Sequence, residues 1–118
     1  MKFNLDLARE ILLKLEENPS PAWIIISIDG YSGVEISYHI EKLYEGGYVN
    51  AINTTSSDGF DYRVKSMTYQ GHQFLDLARD RTMWEQAKKL IKEKGLEITI
   101  EIISKVLEGL AKSALGLS

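Results

Sequence analysis

Apolar residues recur at intervals of three and four from the start of the chain: Phe3, Leu5, Ala8, Ile11, Leu12 and Leu15. That period predicts an amphipathic helix over residues 4–17 with Asp6, Arg9, Glu10, Lys14 and Glu17 on its outer face. Asn18-Pro19-Ser20-Pro21 halts it. The next run, residues 22–28, is almost wholly apolar and contains four isoleucines. With prolines before it and Asp29-Gly30 after it, it reads as a short buried strand. Ser32-Gly33-Val34-Glu35 then has the spacing of a capping box, in which Ser and Glu each satisfy a backbone donor at a helix start. A helix over residues 33–45 follows. Ile36, Ile40 and Leu43 lie on its apolar side, Glu35, His39 and Lys42 on the other, and Gly46-Gly47 ends it.

Residues 48–54 and 60–67 are strand-like and flank Ser56-Ser57-Asp58-Gly59, where Asp-Gly suits the positive φ of a hairpin turn. Thr68 can cap a helix running to residue 79 with Phe74, Leu75 and Ala78 inward. Thr82-Met83-Trp84-Glu85 has capping-box spacing for another helix, which ends near Lys94 at Gly95. Residues 99–114 place Ile102, Ile103, Val106, Leu107, Leu110 and Ala114 on one stripe, opposite Glu101, Lys105, Glu108 and Lys112. The expected class is α+β: helices plus a small antiparallel sheet with a β-hairpin wing over residues 1–80, followed by C-terminal helices over residues 81–118.

Helix, strand, helix, hairpin, helix is the order of a winged helix. The segment Ile36-Ser37-Tyr38-His39-Ile40-Glu41-Lys42-Leu43-Tyr44-Glu45-Gly46-Gly47-Tyr48-Val49 resembles the recognition helix and first wing strand of many bacterial winged-helix regulators. Met67-Thr68-Tyr69-Gln70-Gly71-His72-Gln73-Phe74-Leu75 resembles their wing exit, where a Thr caps a helix with a Gly near its start. From Leu5-Asp6-Leu7-Ala8-Arg9 through Gly30-Tyr31-Ser32 to the last helix, the chain also resembles an uncharacterised bacterial and prophage family, a domain of unknown function. That likeness implies a fold and no assigned site residues. One departure from the regulators stands out: they carry a short helix ahead of the recognition helix, where this sequence reads as a strand.

The resemblance to regulators implies binding to double-stranded DNA. Ser37, Tyr38, His39 and Lys42 would then face the groove, and Arg63, Lys65 and Lys88 would hold phosphates. Charge pulls the other way. The chain is 118 residues long with a formal net charge of -3, and its recognition helix carries Glu35, Glu41 and Glu45 against Lys42 alone. Arg63 and Lys65 sit near Asp58 and Asp61. Only residues 82–94 are clearly basic, with four lysines against Glu85 and Glu93. The alternative is a protein-interaction module that engages a host or phage protein.

The remaining composition narrows the field. There are no cysteines, so disulfides and thiolate chemistry are excluded, and a reducing cytoplasmic setting is expected. Residues 1–10 lack the apolar stretch of a signal peptide, and no membrane anchor is expected. His39 and His72 are the only histidines; each reads as a surface or cap residue. With no P-loop, dinucleotide fingerprint or HExxH motif, neither an enzyme nor a cofactor or metal site is expected. Trp23, Phe60, Tyr62 and Trp84 could form a stacking platform for single-stranded nucleic acid, but core packing is the commoner use of such residues; Trp23 reads as core and Trp84 stays open. Met83 and Ala87 give the Trp84 helix an apolar side suited to packing on the last helix. The C-terminal stripe, with Trp84, suggests homodimerisation through Ile102, Ile103, Val106, Leu107 and Leu110; the competing arrangement covers it within the same chain.

Overall fold

A computed structural model of the chain describes residues 1–18 and 23–116. Along these residues run α1 (Leu5–Glu16), α2 (Gly33–Glu45), β1 (Val49–Asn53), β2 (Tyr62–Met67), α3 (Tyr69–Ala78), α4 (Arg81–Glu93) and α5 (Ile100–Ala114). The fold is α+β, with five helices and one two-stranded antiparallel sheet among the described residues. The chain divides into two compact units, Met1–His72 and Gln73–Ser118, and the division falls inside α3.

Local signals account for most of the boundaries. Asn4 caps α1 by accepting from the backbone N–H groups of Asp6 and Leu7. The α2 capping box forms in both directions: Ser32 Oγ accepts from Glu35 N–H, and Glu35 Oε1 accepts from Ser32 N–H, each at 3.1 Å. Gly47 beyond α2 and Gly95 beyond α4 adopt φ of 83° and 70°, the left-handed conformation that ends helices at low cost only for glycine. At α4 the expectation needs correction. Asp80 is the cap and accepts from Met83 N–H at 2.8 Å, so Thr82 lies within the helix.

In the first unit, α1 and α2 pack on each other, α1 packs on β2, and α2 packs on both strands. One sheet face is therefore covered by Leu7, Ile11 and Leu12 of α1 and Ile36, Ile40 and Leu43 of α2, against Val49 and Val64. Arg9 departs from the outer-face prediction: it is buried, with its guanidinium 3.7 Å from Glu10.

The strand expected over residues 22–28 reduces to one antiparallel bridge, Ile24 with Val64. Ile24 N–H donates to Val64 O at 2.8 Å and receives the return bond at 3.3 Å. Pro19, Ser20, Pro21 and Ala22, which carried the helix stop and the strand start, lie outside the described residues. Strand β2 thus lies between β1 and the Ile24 segment. Its register with β1 shifts between Asn50 and Ala51, where Asn50 pairs with Ser66 and Ala51 with Val64, leaving Lys65 as the extra residue of a bulge.

The exit from β2 is pinned to the entry of β1. Thr68 N–H donates to Tyr48 O at 3.0 Å, and its hydroxyl donates to Gly47 O at 2.6 Å while accepting from Gly71 N–H at 3.1 Å. Gly71 is required there because a Cβ would overlap the Tyr48 carbonyl oxygen.

In the second unit α4 packs on α5. Trp84 is 1% exposed and meets Phe74 edge-on at 6.1 Å. Ala87, Ile91, Ile100, Ile103 and Leu107 are buried with it. No helix among the described residues is long and apolar enough to cross a membrane.

Candidate functional site

Two of the four side chains expected to face a DNA groove belong to the interior. His39, expected at a surface or cap position, is 2% exposed. Its Nε2 accepts from Asn4 N–H at 2.8 Å, which places the ring proton on Nδ1, 2.7 Å from Glu35 O. The imidazole stacks on Phe3 at 5.2 Å and meets Tyr38 edge-on at 5.3 Å. Both ring nitrogens are engaged, so His39 ties the start of α1 to α2 instead of reading bases. Ser37 is buried as well. Its Oγ accepts from Tyr62 N–H at 3.1 Å and lies 3.5 Å from Asp61 Oδ1, while Asp61 Oδ2 accepts from the Thr54 hydroxyl at 2.5 Å. This chain of bonds fastens the hairpin to α2.

Tyr38 and Lys42 remain half-exposed. Lys42 Nζ lies 3.1 Å from Glu45, 3.6 Å from Glu41 and 5.3 Å from the centre of the Tyr38 ring. The Glu45 hydrogen bond, opposed by some desolvation, raises the Lys42 pKa above the usual lysine value. Burial, with a hydrogen bond to Glu41, likewise raises the Tyr62 phenol. Since each glutamate holds a proton donor or a cation of its own chain, the outward side of α2 offers a phosphate backbone little net attraction.

The sheet face turned away from the helices is different in kind. The Ile24–Val64 bridge sets Trp23 across from Lys65 and Ile25 across from Arg63, and the ladder pairs Arg63 with Ile52. Alternation sends these five side chains outward. Trp23 is 44% exposed, Ile25 66% and Ile52 45%, and Arg63 and Lys65 are also exposed. Lys65 Nζ stands 5.7 Å from the centre of the Trp23 ring. Asp61, 3.6 Å from Arg63 Nε, lies immediately before the first residue of β2.

Trp23 was expected in the core, and this position corrects that expectation. The helices cover only one sheet face, so the alternate positions of the Ile24 segment remain in solvent. Ile25 and Ile52 were not anticipated as site residues. In a run such as Trp23-Ile24-Ile25-Ile26 both alternating sets are apolar, so no period of two can be seen; Ser27, exposed in register with Trp23 and Ile25, is the one sequence hint.

On α4, Lys88 pairs with Glu85 at 3.2 Å, while Lys89 and Lys92 are exposed. Of the residues expected at an association surface, Trp84, Ile103 and Leu107 are buried within the chain; Ile102, Val106 and Leu110 are half-buried. The arrangement is the one Met83 and Ala87 suggested, with α4 over the stripe. Among the described residues no three metal-ligating side chains converge.

The sequence profile of the family described as Hypothetical protein (DUF2513) matches residues 2–97. An "Uncharacterized protein" of Haemophilus influenzae is 34% identical to this chain over 119 residues, spanning 98% of the chain and 100% of that protein. No solved structure matches. With a profile match from α1 through α4 and a relative alignable over nearly its whole length, the chain belongs to the DUF2513 family.

Proposed function

We propose that this chain is a winged-helix-like, DNA-associated binding protein of the bacterial cytoplasm, acting without chemistry of its own and meeting DNA with its hairpin. The element order α1, Ile24 bridge, α2, hairpin, α3 supports the winged-helix reading. The abbreviated segment before α2 and the buried Ser37 and His39 argue that α2 is not the reading element. The observation that carries the proposal is the pair of exposed cations, Arg63 and Lys65, on the outer sheet face, where phosphates can reach both.

The test is fluorescence anisotropy with a mixed-sequence DNA, offered as duplex and as separated strands, at low and near-physiological salt. Binding should weaken with salt, and the double variant Arg63→Ala, Lys65→Ala should flatten that dependence by the loss of about two phosphate contacts. No binding of either form at low salt would refute the proposal.

A second reading, contact with a host or phage protein, is favoured by α2, whose exposed Val34 and Tyr44 accompany Glu41 and Glu45. It predicts a specific partner lost on Val34→Asp, Tyr44→Ala substitution. Self-association forms a separate part of the proposal and uses the half-buried row Ile102, Val106 and Leu110 of α5. Light scattering should then give a dimer that Val106→Glu converts to a monomer; a monomeric parent chain at high concentration would end the idea.

A further inference from the structure

We infer that the outer sheet face takes an unpaired DNA strand in preference to a duplex, with Trp23 as the stacking residue and Arg63 and Lys65 as the phosphate contacts. The inference rests on the DNA-associated reading above and specifies the form of DNA.

The apolar content of the face decides between the two forms. Trp23, Ile25 and Ile52 are all large and more than two-fifths exposed. Ile25, on the bridged Ile24 segment, and Ile52, on β1, flank Arg63 about 4.8 Å to either side. A duplex turns its base faces inward and offers a flat protein surface only phosphates, sugars and groove edges. Laying isoleucines and a tryptophan against those groups strips water from phosphates and returns no contact to the apolar atoms. An unpaired strand exposes flat base faces that cover apolar side chains and stack on an indole, with its phosphates free to reach nearby cations.

Charge agrees with this assignment. Among the described residues of the Ile24 segment and the two strands, the outward positions carry Arg63 and Lys65 and no carboxylate. The Asp61 carboxylate, one residue before β2, is engaged by Thr54 and Ser37 and also stands 3.6 Å from Arg63, which leaves Lys65, among the described residues, as the cation with no carboxylate beside it on this face. Lys65 already lies over the indole, where a stacked base would displace the ammonium toward the base's own phosphate. The chain's other tryptophan, Trp84, is buried against Phe74. Quenching of tryptophan emission by an added strand therefore reports on Trp23.

The experiment is titration of the full chain with a labelled strand of roughly 12 nucleotides, within the footprint common for stacking platforms, and with the duplex of the same sequence. Anisotropy and tryptophan emission are recorded at low salt. The strand should bind at least several-fold more tightly than the duplex and quench emission. Trp23→Ala should weaken strand binding roughly tenfold, whereas Trp23→Phe, which keeps a ring, should retain most of the affinity and lose the quenching. Circular dichroism of both variants checks that the fold is kept. Duplex binding equal to or tighter than strand binding, or strand binding unchanged in a folded Trp23→Ala chain, would overturn the inference while leaving DNA association intact. Binding of neither form would instead overturn the DNA reading on which it rests.

Discussion

Replacing His39 with alanine removes two connections between α2 and the residues that lead into α1, Phe3 and Asn4, and the cost can be worked from the geometry. Asn4 N–H, now paired with Nε2 at 2.8 Å, loses its acceptor in a part-buried place; a donor stranded in this way costs about 1–3 kcal/mol. The ring, 2% exposed and packed on Phe3 and Tyr38, leaves a gap worth about 2 kcal/mol more. Together they predict a loss of roughly 3–5 kcal/mol, a large share of the ~5–15 kcal/mol that holds a typical domain folded. The assay is thermal unfolding followed by circular dichroism at pH 8, where the midpoint should fall by roughly 10–20 °C. His39→Gln supplies a carbonyl oxygen near the Nε2 position and should recover about half of the loss by restoring the Asn4 bond. A loss under about 1 kcal/mol for the alanine variant, or a glutamine variant no better than alanine, would refute the account of His39 as a tie between the helices.

Other expectations follow from single positions. Gly71→Ala should cost more than roughly 3 kcal/mol in chemical denaturation, since its Cβ would strike the Tyr48 carbonyl. Gly109→Ala, in the middle of α5 with open space around it, should gain roughly 0.5–1 kcal/mol in the same assay. Ser32→Ala breaks the α2 capping box and should lower stability by about 1 kcal/mol, with the fold retained. The raised pKa values of Tyr62 and Lys42 mean that the folded chain holds these protons more tightly than the unfolded one. Their contribution is complete below about pH 10 and is lost as pH climbs through the folded values. Melting midpoints should therefore fall on the alkaline side, with a shallower fall in Tyr62→Phe; an unchanged alkaline limb in that variant would contradict the Tyr62 assignment.

The helices and the hairpin could be read from the sequence because their determinants lie within a few residues of one another. The Ser32–Glu35 box, the Thr68 cap, the glycines at 47 and 95 and the three-and-four spacing of Ile36, Ile40 and Leu43 all act within a turn or two of helix. The match of Met83, Trp84 and Ala87 to the α5 stripe was legible for the same reason, as both apolar faces are marked by their own periods. The Asp80 cap was missed because Asp80 and Thr82 are both good capping residues, and local sequence offers two competing starts.

What each side chain faces was decided only by the tertiary structure. A period identifies the two sides of a helix or strand, but burial depends on which element covers which side. Because α1 and α2 both lie on one face of the sheet, Ser37 and His39, polar and apparently suited to a groove, became interior fastenings, while Trp23, Ile25 and Ile52, apolar and apparently suited to a core, were left in solvent. Charge behaved in the same way. Sequence counts the ions, but only the folded chain brings Glu41 and Glu45 to Lys42, Glu85 to Lys88 and Asp61 to Arg63, and sets Arg63 and Lys65 side by side on an open face. Local patterns determine the elements because backbone hydrogen bonding and capping are short-range; the surface these elements present is determined by packing between residues far apart in the chain.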